Sequence, residues 1–158
     1  MRMGELMALR HQDIENYTIN VRWTLTHHAV IDKDGKRTRI KELCIPKSKS
    51  SIRSIPIPNY LRKEYVSGEP EEFVFPNGNG NFMEKSNFIR RWKKILEKAD
   101  VPYKKFHGTR HTYITKLVQM GANIATVKEL AGHSNIQMTM RYTHINMDDK
   151  KSAVDLLG

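Results

Sequence analysis

Apolar and polar residues alternate with a period of two in residues 17–25 and again in residues 50–58 of this chain. Such alternation is typical of strands that bury one face. A turn signal at residues 32–36 follows the first segment, and residues 39–46 have the character of a returning strand. The pattern therefore predicts a small three-stranded antiparallel sheet, in which the first two strands form a hairpin and the third follows a polar loop.

Helical spacing replaces this alternation in most of the remaining chain. It is clearest in residues 87–98, where apolar side chains form one stripe: Phe88, Ile89, Trp92, Ile95 and Leu96. Spacing, together with stop and cap residues such as Gly121 and Asn123, predicts the other helices. These are expected at residues 4–9, 59–66, 109–120, 124–130, 136–144 and 148–157. The predicted fold class is α+β and mostly α, a helical domain with a small three-stranded antiparallel sheet.

Length and charge narrow the range of functions. A chain of 158 residues is long enough for one domain with a real core and too short for two ordinary domains. Lysine and arginine number 27 against 17 aspartates and glutamates, and the formal charge of +10 favours a polyanion such as nucleic acid as the partner. An excess of basic residues can also serve solubility alone, so the motifs must decide between these explanations.

Cysteine usage and hydropathy bear on the compartment. Cys44 is the single cysteine, which rules out an internal disulfide and a cysteine-based zinc site. No run of about 18 apolar residues occurs, and the N-terminal residues lack the apolar core of a signal peptide. We therefore expect a soluble cytoplasmic protein that does not associate with membranes.

Three polar clusters stand in the last third of the chain: His107-Gly-Thr-Arg110-His111, Gly132-His133-Ser134 and Arg141-Tyr142. They supply imidazole, guanidinium and phenol groups, which suit phosphodiester chemistry. The transferring phosphorus gains charge on its non-bridging oxygens, and fixed cations and hydrogen-bond donors can offset that charge. Arg110 fits this role because guanidinium offers paired donors, keeps its charge and lies here at a predicted helix start.

Each of these residues also has an ordinary structural explanation. Arg110 and His107 can pair with acidic neighbours, His133 can cap a helix end, and Tyr142 fits a core position. The spacing of His107 and His111 suits a zinc pair, but no glutamate lies between them and no cysteine is near. We therefore expect neither a metal nor a cofactor.

Taken together, the three clusters closely resemble the catalytic domain of the tyrosine recombinases, the phage integrase family. The resemblance extends upstream. The segment Arg2-x-Gly4-Glu5-Leu6-x-x-Leu9 is similar to the family's first arginine box, and Pro46-Lys47-Ser-Lys49-Ser-Ser-Ile-Arg53 is similar to its lysine-bearing hairpin. Five boxes in the family's order cover nearly the whole chain.

The resemblance implies a role for each matching residue. Tyr142 is the nucleophile that attacks the scissile phosphate, which leaves a 3'-phosphotyrosyl bond and a free 5'-hydroxyl. Arg2 and Arg110 bind the non-bridging oxygens, and His107 assists as a general acid or base.

The remaining roles fall on the second histidine, the hairpin lysine and a carboxylate. His133 donates a hydrogen bond to the phosphate. Lys47, which directly follows Pro46, protonates the leaving 5'-oxygen, with Lys49 as the alternative. Glu5 supports the first arginine box rather than reacting, because a carboxylate near the phosphate would repel it.

The function that the resemblance implies is site-specific recombination of double-stranded DNA, such as integration or excision of a phage or another mobile element. Family members act as tetramers, and residues 148–158 are a candidate for the C-terminal segment that packs on a neighbouring subunit. A terminal helix that closes its own core is the alternative for that segment. Two other functions stay open, namely DNA relaxation similar to that of type IB topoisomerases, and DNA binding by a module that does not cleave.

Departures from the family pattern affect these expectations. Gly108 and Thr109 stand where family members commonly carry bulkier residues. We interpret residues 1–158 as a catalytic domain that lacks the family's first helices and its N-terminal DNA-binding domains. Because Arg2 is nearly terminal, we expect it to be held loosely and the chain to be weak or inactive in full recombination.

Overall fold

The computed structural model describes residues 1–31, 33–143, 151 and 154–155. The chain begins with the short helix α1 (Met3–Met7) and a 3₁₀ turn (His11–Asp13). Gly4 lets α1 lie against the first long strand, because a Cβ at this position would lie 2.7 Å from the carbonyl oxygen of Leu25. Any larger residue at position 4 would push this helix away from its support.

Three short strands form one antiparallel sheet: β1 (Ile14–Glu15), β2 (Thr18–Val21) and β5 (Arg53–Pro56), in the order β1-β2-β5. Asn16 and Tyr17 both have positive φ, 48° and 57°, and so form the two-residue turn that joins β1 to β2. The register of β2 and β5 places Ile19 opposite Ile55. The strands β3 (Thr24–Ile31) and β4 (Arg37–Cys44) pair separately as a long hairpin.

The predicted fold class is confirmed, whereas the first predicted strand is divided in two. The sequence pattern predicts one strand over residues 17–25, but the structure divides it between β2 and β3 at Arg22 and Trp23. The break separates β3 from the β1-β2-β5 sheet, and Leu25 of β3 packs with Met7 in the core. As a result the strands form two sheets instead of one: β5, within the third predicted strand, pairs with β2, and β4 pairs with β3.

Six helices have both ends within the described residues. Besides α1 these are α2 (Asn59–Arg62), α3 (Lys85–Lys98), α4 (His107–Gln119), α5 (Ile124–Ala131) and α6 (Gln137–Met140). The predicted cap of α5 is confirmed, since the Asn123 side chain accepts hydrogen bonds from the backbone N–H groups of Ala125 and Thr126. Helices α2 and α6 are shorter than predicted. The predicted helix at residues 148–157 lies largely outside the described residues.

Two apolar clusters hold the elements together. The first joins α1, β3 and α3 through buried side chains: Met7, Ala8, Leu25, Met83 and Phe88. The second joins α4 and α5 through Ile114, Val127 and Ala131, and the half-buried Tyr142 packs against it. Within the described part of the chain, no helix is long and apolar enough to cross a membrane.

Candidate active site

A buried carboxylate stands at the meeting point of α1 and β5. The side chain of Glu5 is 2% exposed and forms ion pairs with Arg2 at 2.7 Å and with Arg53 at 2.9 Å. Burial by itself would raise the pKa of Glu5, but hydrogen bonds from Arg53 and Arg2 and the charge of Arg53 outweigh it. The pKa falls from its ordinary value of 4.5 to about 2. Glu5 is therefore ionised at neutral pH and holds both arginines.

Arg2 connects three segments that are distant in sequence. Besides Glu5, its guanidinium donates to the Ser51 hydroxyl at 3.2 Å and to the backbone carbonyl of Gly132 at 2.9 Å. The sequence predicts a loosely held Arg2. The structure corrects this expectation, because these contacts fix the side chain between α1, the end of the lysine-bearing loop and the end of α5.

Arg53 is a site residue to which the sequence analysis gives no role. Its side chain is 5% exposed, and it donates to the Leu130 carbonyl at 2.9 Å, the Ser51 carbonyl at 2.8 Å and both oxygens of Glu5. Gly132, in the left-handed conformation with φ of +68°, passes so close that a Cβ would lie 3.0 Å from the Arg53 side chain. Arg53 lies inside the lysine-bearing box, but spacing does not reveal that its partners are Glu5 and Leu130, 48 and 77 residues away.

Arg110, on the first turn of α4, is 6% exposed. None of the described residues accepts a hydrogen bond from its guanidinium in the structure. Burial and the neighbouring charges of Arg2 and Arg53 lower the pKa of Arg110 to about 10. Arg110 thus remains a cation at neutral pH, and its charge is not balanced by an acidic neighbour of its own.

His133 follows Gly132 at the end of α5 and is 5% exposed. Its Nδ1 atom lies 2.9 Å from the hydroxyl oxygen of Thr139 on α6. Burial and the charges of Arg110, Arg2 and Arg53 lower the pKa of His133 to about 4. The imidazole is therefore neutral at physiological pH.

His107, His111 and Tyr142 form a row along one face of α4. The His107 and His111 rings pack edge to face with their centres 4.8 Å apart, and the His111 and Tyr142 ring centres lie 5.8 Å apart. Nδ1 of His111 is hydrogen-bonded to the Tyr142 hydroxyl. Partial desolvation and the charges of His111 and Arg110 lower the pKa of His107. No third metal-ligating side chain joins the two histidines among the described residues.

Lys47 lies apart from these contacts. It is exposed in the segment between β4 and the 3₁₀ turn Lys49–Ser51, and Lys49 is exposed as well. Neither amine makes an ion pair or hydrogen bond with the described residues. The loop reaches the site through Ser51, whose hydroxyl accepts from Arg2.

The site therefore combines an excess of positive charge with a phenol. We call Arg2, Arg53 and Arg110 the arginine cluster. Glu5 bridges Arg2 and Arg53, and the charges of these two residues contribute to the lowered pKa of Arg110. Glu5 is the carboxylate that balances part of this charge, and His133 is neutral. A surplus of guanidinium charge, with Arg53 and Arg110 buried and Arg2 partly exposed, favours a bound anion with several oxygens, such as a phosphodiester.

Comparison with known families agrees with this arrangement. A family model described as the phage integrase family matches residues 1–149. The chain belongs to this family. The matched residues include all six positions that the sequence analysis proposes as catalytic: Arg2, Lys47, His107, Arg110, His133 and Tyr142.

Relatives within the phage integrase family carry recombinase names. The chain is 39% identical to a XerC-like tyrosine recombinase of Caldanaerobacter subterraneus subsp. tengcongensis, over all of this chain and 46% of the relative. It is 30% identical to tyrosine recombinase XerC of Oceanobacillus iheyensis, over 97% of this chain and 48% of the relative. The chain thus spans about half the length of these curated relatives.

Solved structures show the same fold. The Tn1549 transposon integrase in complex with circular intermediate DNA matches with a TM-score of 0.76 at 23% identity, over all of this chain and 56% of that one. The catalytic domain of bacteriophage HP1 integrase matches with a TM-score of 0.54 at 22% identity, over 98% of this chain and 73% of that one. The elements that carry the site therefore have the arrangement of an integrase fold.

Proposed function

We propose that residues 1–158 are the catalytic domain of a tyrosine-type site-specific recombinase, which cuts and rejoins double-stranded DNA through a 3'-phosphotyrosyl intermediate. The observation that carries the proposal is the arginine cluster, partly balanced by Glu5, beside a phenol: the Tyr142 hydroxyl is hydrogen-bonded to His111, the residue that follows Arg110 on α4. Family membership and the recombinase names of the relatives support the same function.

In the proposed cleavage step, the Tyr142 oxygen attacks the scissile phosphorus and loses its proton. His111 is hydrogen-bonded to this hydroxyl and is placed to take part in the proton's departure. Arg2 and Arg110 bind the non-bridging oxygens, where charge accumulates in the transition state. The bond from phosphorus to the 5'-oxygen breaks, and Lys47 donates a proton to that oxygen.

The proposed step conserves the energy of the broken bond, because one phosphodiester is exchanged for another ester. A 5'-hydroxyl from a second duplex can therefore reverse the reaction and join new partners without a nucleotide cofactor. His133, neutral at physiological pH, supplies an N–H donor to the phosphate, and His107 assists proton transfer. Arg53 holds Glu5 and the α5 terminus in place rather than contacting DNA.

We also propose that the full reaction takes place in the cytoplasm, in a tetramer that holds two DNA sites. The Tn1549 integrase and the XerH recombinase have been solved bound to DNA, which supports DNA as the partner. The C-terminal segment at residues 148–158, the proposed link between subunits, lies largely outside the described residues.

Trapping the covalent intermediate tests the proposed function. The whole chain is incubated at low salt with a pool of nicked duplexes. The sequence around the nick is randomised because the target is unknown, and the nick makes the 5'-hydroxyl fragment short enough to diffuse away after cleavage. We expect a protein–DNA adduct that survives denaturant and is removed by protease. Mass spectrometry of the digested adduct should place a 3'-linked nucleotide on Tyr142.

Two other outcomes would favour the alternative functions. Retarded mobility on a native gel without any adduct would support a DNA-binding module that does not cleave. An adduct together with relaxation of supercoiled plasmid, but with no strand joined to a second duplex, would support DNA relaxation similar to that of type IB topoisomerases.

The assignment of the general acid gives a separate prediction. Lys47→Ala should lower the cleavage rate on the nicked pool by about 10²-fold or more, because the leaving oxygen loses its proton donor. Lys49→Ala is the matched control, since it removes an equal charge from the same loop, and should retain most of the rate. A 5'-bridging phosphorothiolate, whose leaving sulfur needs no proton, should restore cleavage by the Lys47 variant. The reverse pattern between the two variants would assign the role to Lys49.

A further inference from the structure

We propose that Thr139 is a positioning residue that fixes which ring nitrogen of His133 carries the proton, so that Nε2–H is the donor offered to the phosphate. The inference rests on the proposed function, because it concerns how His133 is prepared for a bound phosphodiester. It assigns a task to a side chain that has no hydrogen bond to the arginine cluster among the described residues and does not belong to the proposed catalytic set.

The contact between the two residues is buried on both sides. Thr139 is 0% exposed and His133 is 5% exposed. The Thr139 hydroxyl oxygen lies 2.9 Å from Nδ1 of His133, a normal length for a hydrogen bond in either direction. Which atom donates must therefore follow from the other partners available to each group.

The hydroxyl of Thr139 has His133 as its partner among the described residues. If Nδ1–H donated to the hydroxyl oxygen, the hydroxyl proton would be left in the interior without an acceptor. Leaving a buried donor unpaired is unfavourable. If the hydroxyl donates to Nδ1 instead, its proton is satisfied and Nδ1 acts as the acceptor. The second arrangement is the one that the burial favours.

The position of the ring proton follows from this direction. Burial lowers the pKa of His133 to about 4, and positive charges on three elements add to this effect. They belong to Arg110 and His111 on α4, Arg2 at the start of α1 and Arg53 on β5. The imidazole then carries one proton at neutral pH. Because Nδ1 accepts from Thr139, that proton is on Nε2, which has no partner among the described residues.

Thr139 also connects the donor to the nucleophile. Its side chain bonds His133, and its backbone carbonyl accepts from the backbone N–H of Tyr142 at 3.0 Å. One buried residue on α6 thus fixes the orientation of the imidazole and the start of the turn that carries the phenol. Loss of the Thr139 hydroxyl should disturb the orientation of the imidazole, whereas the backbone hydrogen bond to Tyr142 should remain.

Two variants of Thr139 and one spectroscopic measurement test the inference. Thr139→Val keeps the shape and removes the hydroxyl, whereas Thr139→Ser keeps the hydroxyl. Nitrogen-15 chemical shifts of the His133 ring, measured on the whole chain without DNA, report the tautomer. We expect the Nε2–H form in the original protein and in Thr139→Ser, and a mixture or the Nδ1–H form in Thr139→Val.

Cleavage of the nicked pool should follow the tautomer. Thr139→Val should cleave about tenfold or more slowly, since a phosphate donor is misplaced in part of the molecules. Thr139→Ser should restore the rate. Thr112→Val is the matched control, because the Thr112 hydroxyl donates to the Gly108 carbonyl on α4 and does not touch His133. That variant should cleave like the original protein.

The outcomes separate this inference from the proposed function. A His133 proton on Nδ1 in the original protein would overturn the inference even if Thr139→Val failed to fold, and so would a Thr139→Val variant that cleaves at the original rate. The expected tautomers without cleavage by any variant would instead contradict the proposed function and leave the role of Thr139 in orienting His133 standing.

Discussion

Replacement of Tyr142 with phenylalanine is expected to abolish the covalent adduct on nicked DNA while leaving DNA binding intact. Phenylalanine lacks the oxygen that would form the ester, so the adduct should fall by at least about 10³-fold. The aromatic ring should keep its place against the cluster of Ile114, Val127 and Ala131. Adduct yield on a denaturing gel and retardation on a native gel measure the two properties separately.

A second tyrosine provides the control for this experiment. Tyr60 on α2 is 72% exposed and lies outside the site. Tyr60→Phe removes the same atom from the chain and should leave the adduct at its original level. Persistence of the adduct in Tyr142→Phe would mean that another side chain attacks the phosphate. The assignment of Tyr142 as the nucleophile beside the arginine cluster would then be wrong.

The local structure of this chain could largely be predicted from its sequence. The apolar stripe of residues 87–98 becomes α3, and Asn123 caps α5, because spacing and capping depend on neighbours a few residues away. The pairing of strands could not be predicted in full. Whether residues 50–58 pair with β2 or with β4 depends on where Leu25 leaves the sheet, which is a matter of packing on α1.

The candidate site shows a similar division. The boxes identify Arg2, Arg110 and His133 as residue types at the proper spacing, but spacing does not reveal that Arg2 donates to a carbonyl 130 residues away. Arg53 and Thr139 were missed for the same reason. Each acts on another site residue through a long-range or buried hydrogen bond, and only the folded chain brings the partners together.

Substitution of glutamine for Glu5 is expected to have the largest effect on stability. The carboxylate is buried and bonded to Arg2 and Arg53, so its loss leaves two guanidinium groups poorly compensated. The lowering of its pKa from 4.5 to about 2 corresponds to a contribution of about 3 kcal/mol at neutral pH. The free energy of unfolding in urea should fall by about this amount in Glu5→Gln. Cleavage should fall as well, because Arg2 loses the bond that orients it.

The pH dependence of stability provides a check on the same ion pairs. The folded state binds a proton at Glu5 less readily than the unfolded state, so the contribution of Glu5 is complete above the unfolded pKa of 4.5 and declines as the pH falls toward about 2. Unfolding free energies measured across this window should show a slope that is smaller in Glu5→Gln. Glu64→Gln is the control, since Glu64 is 68% exposed beside Lys63 and should change stability by less than about 1 kcal/mol. Equal stability and equal slopes in the two variants would show that the buried carboxylate does not hold the arginine cluster together.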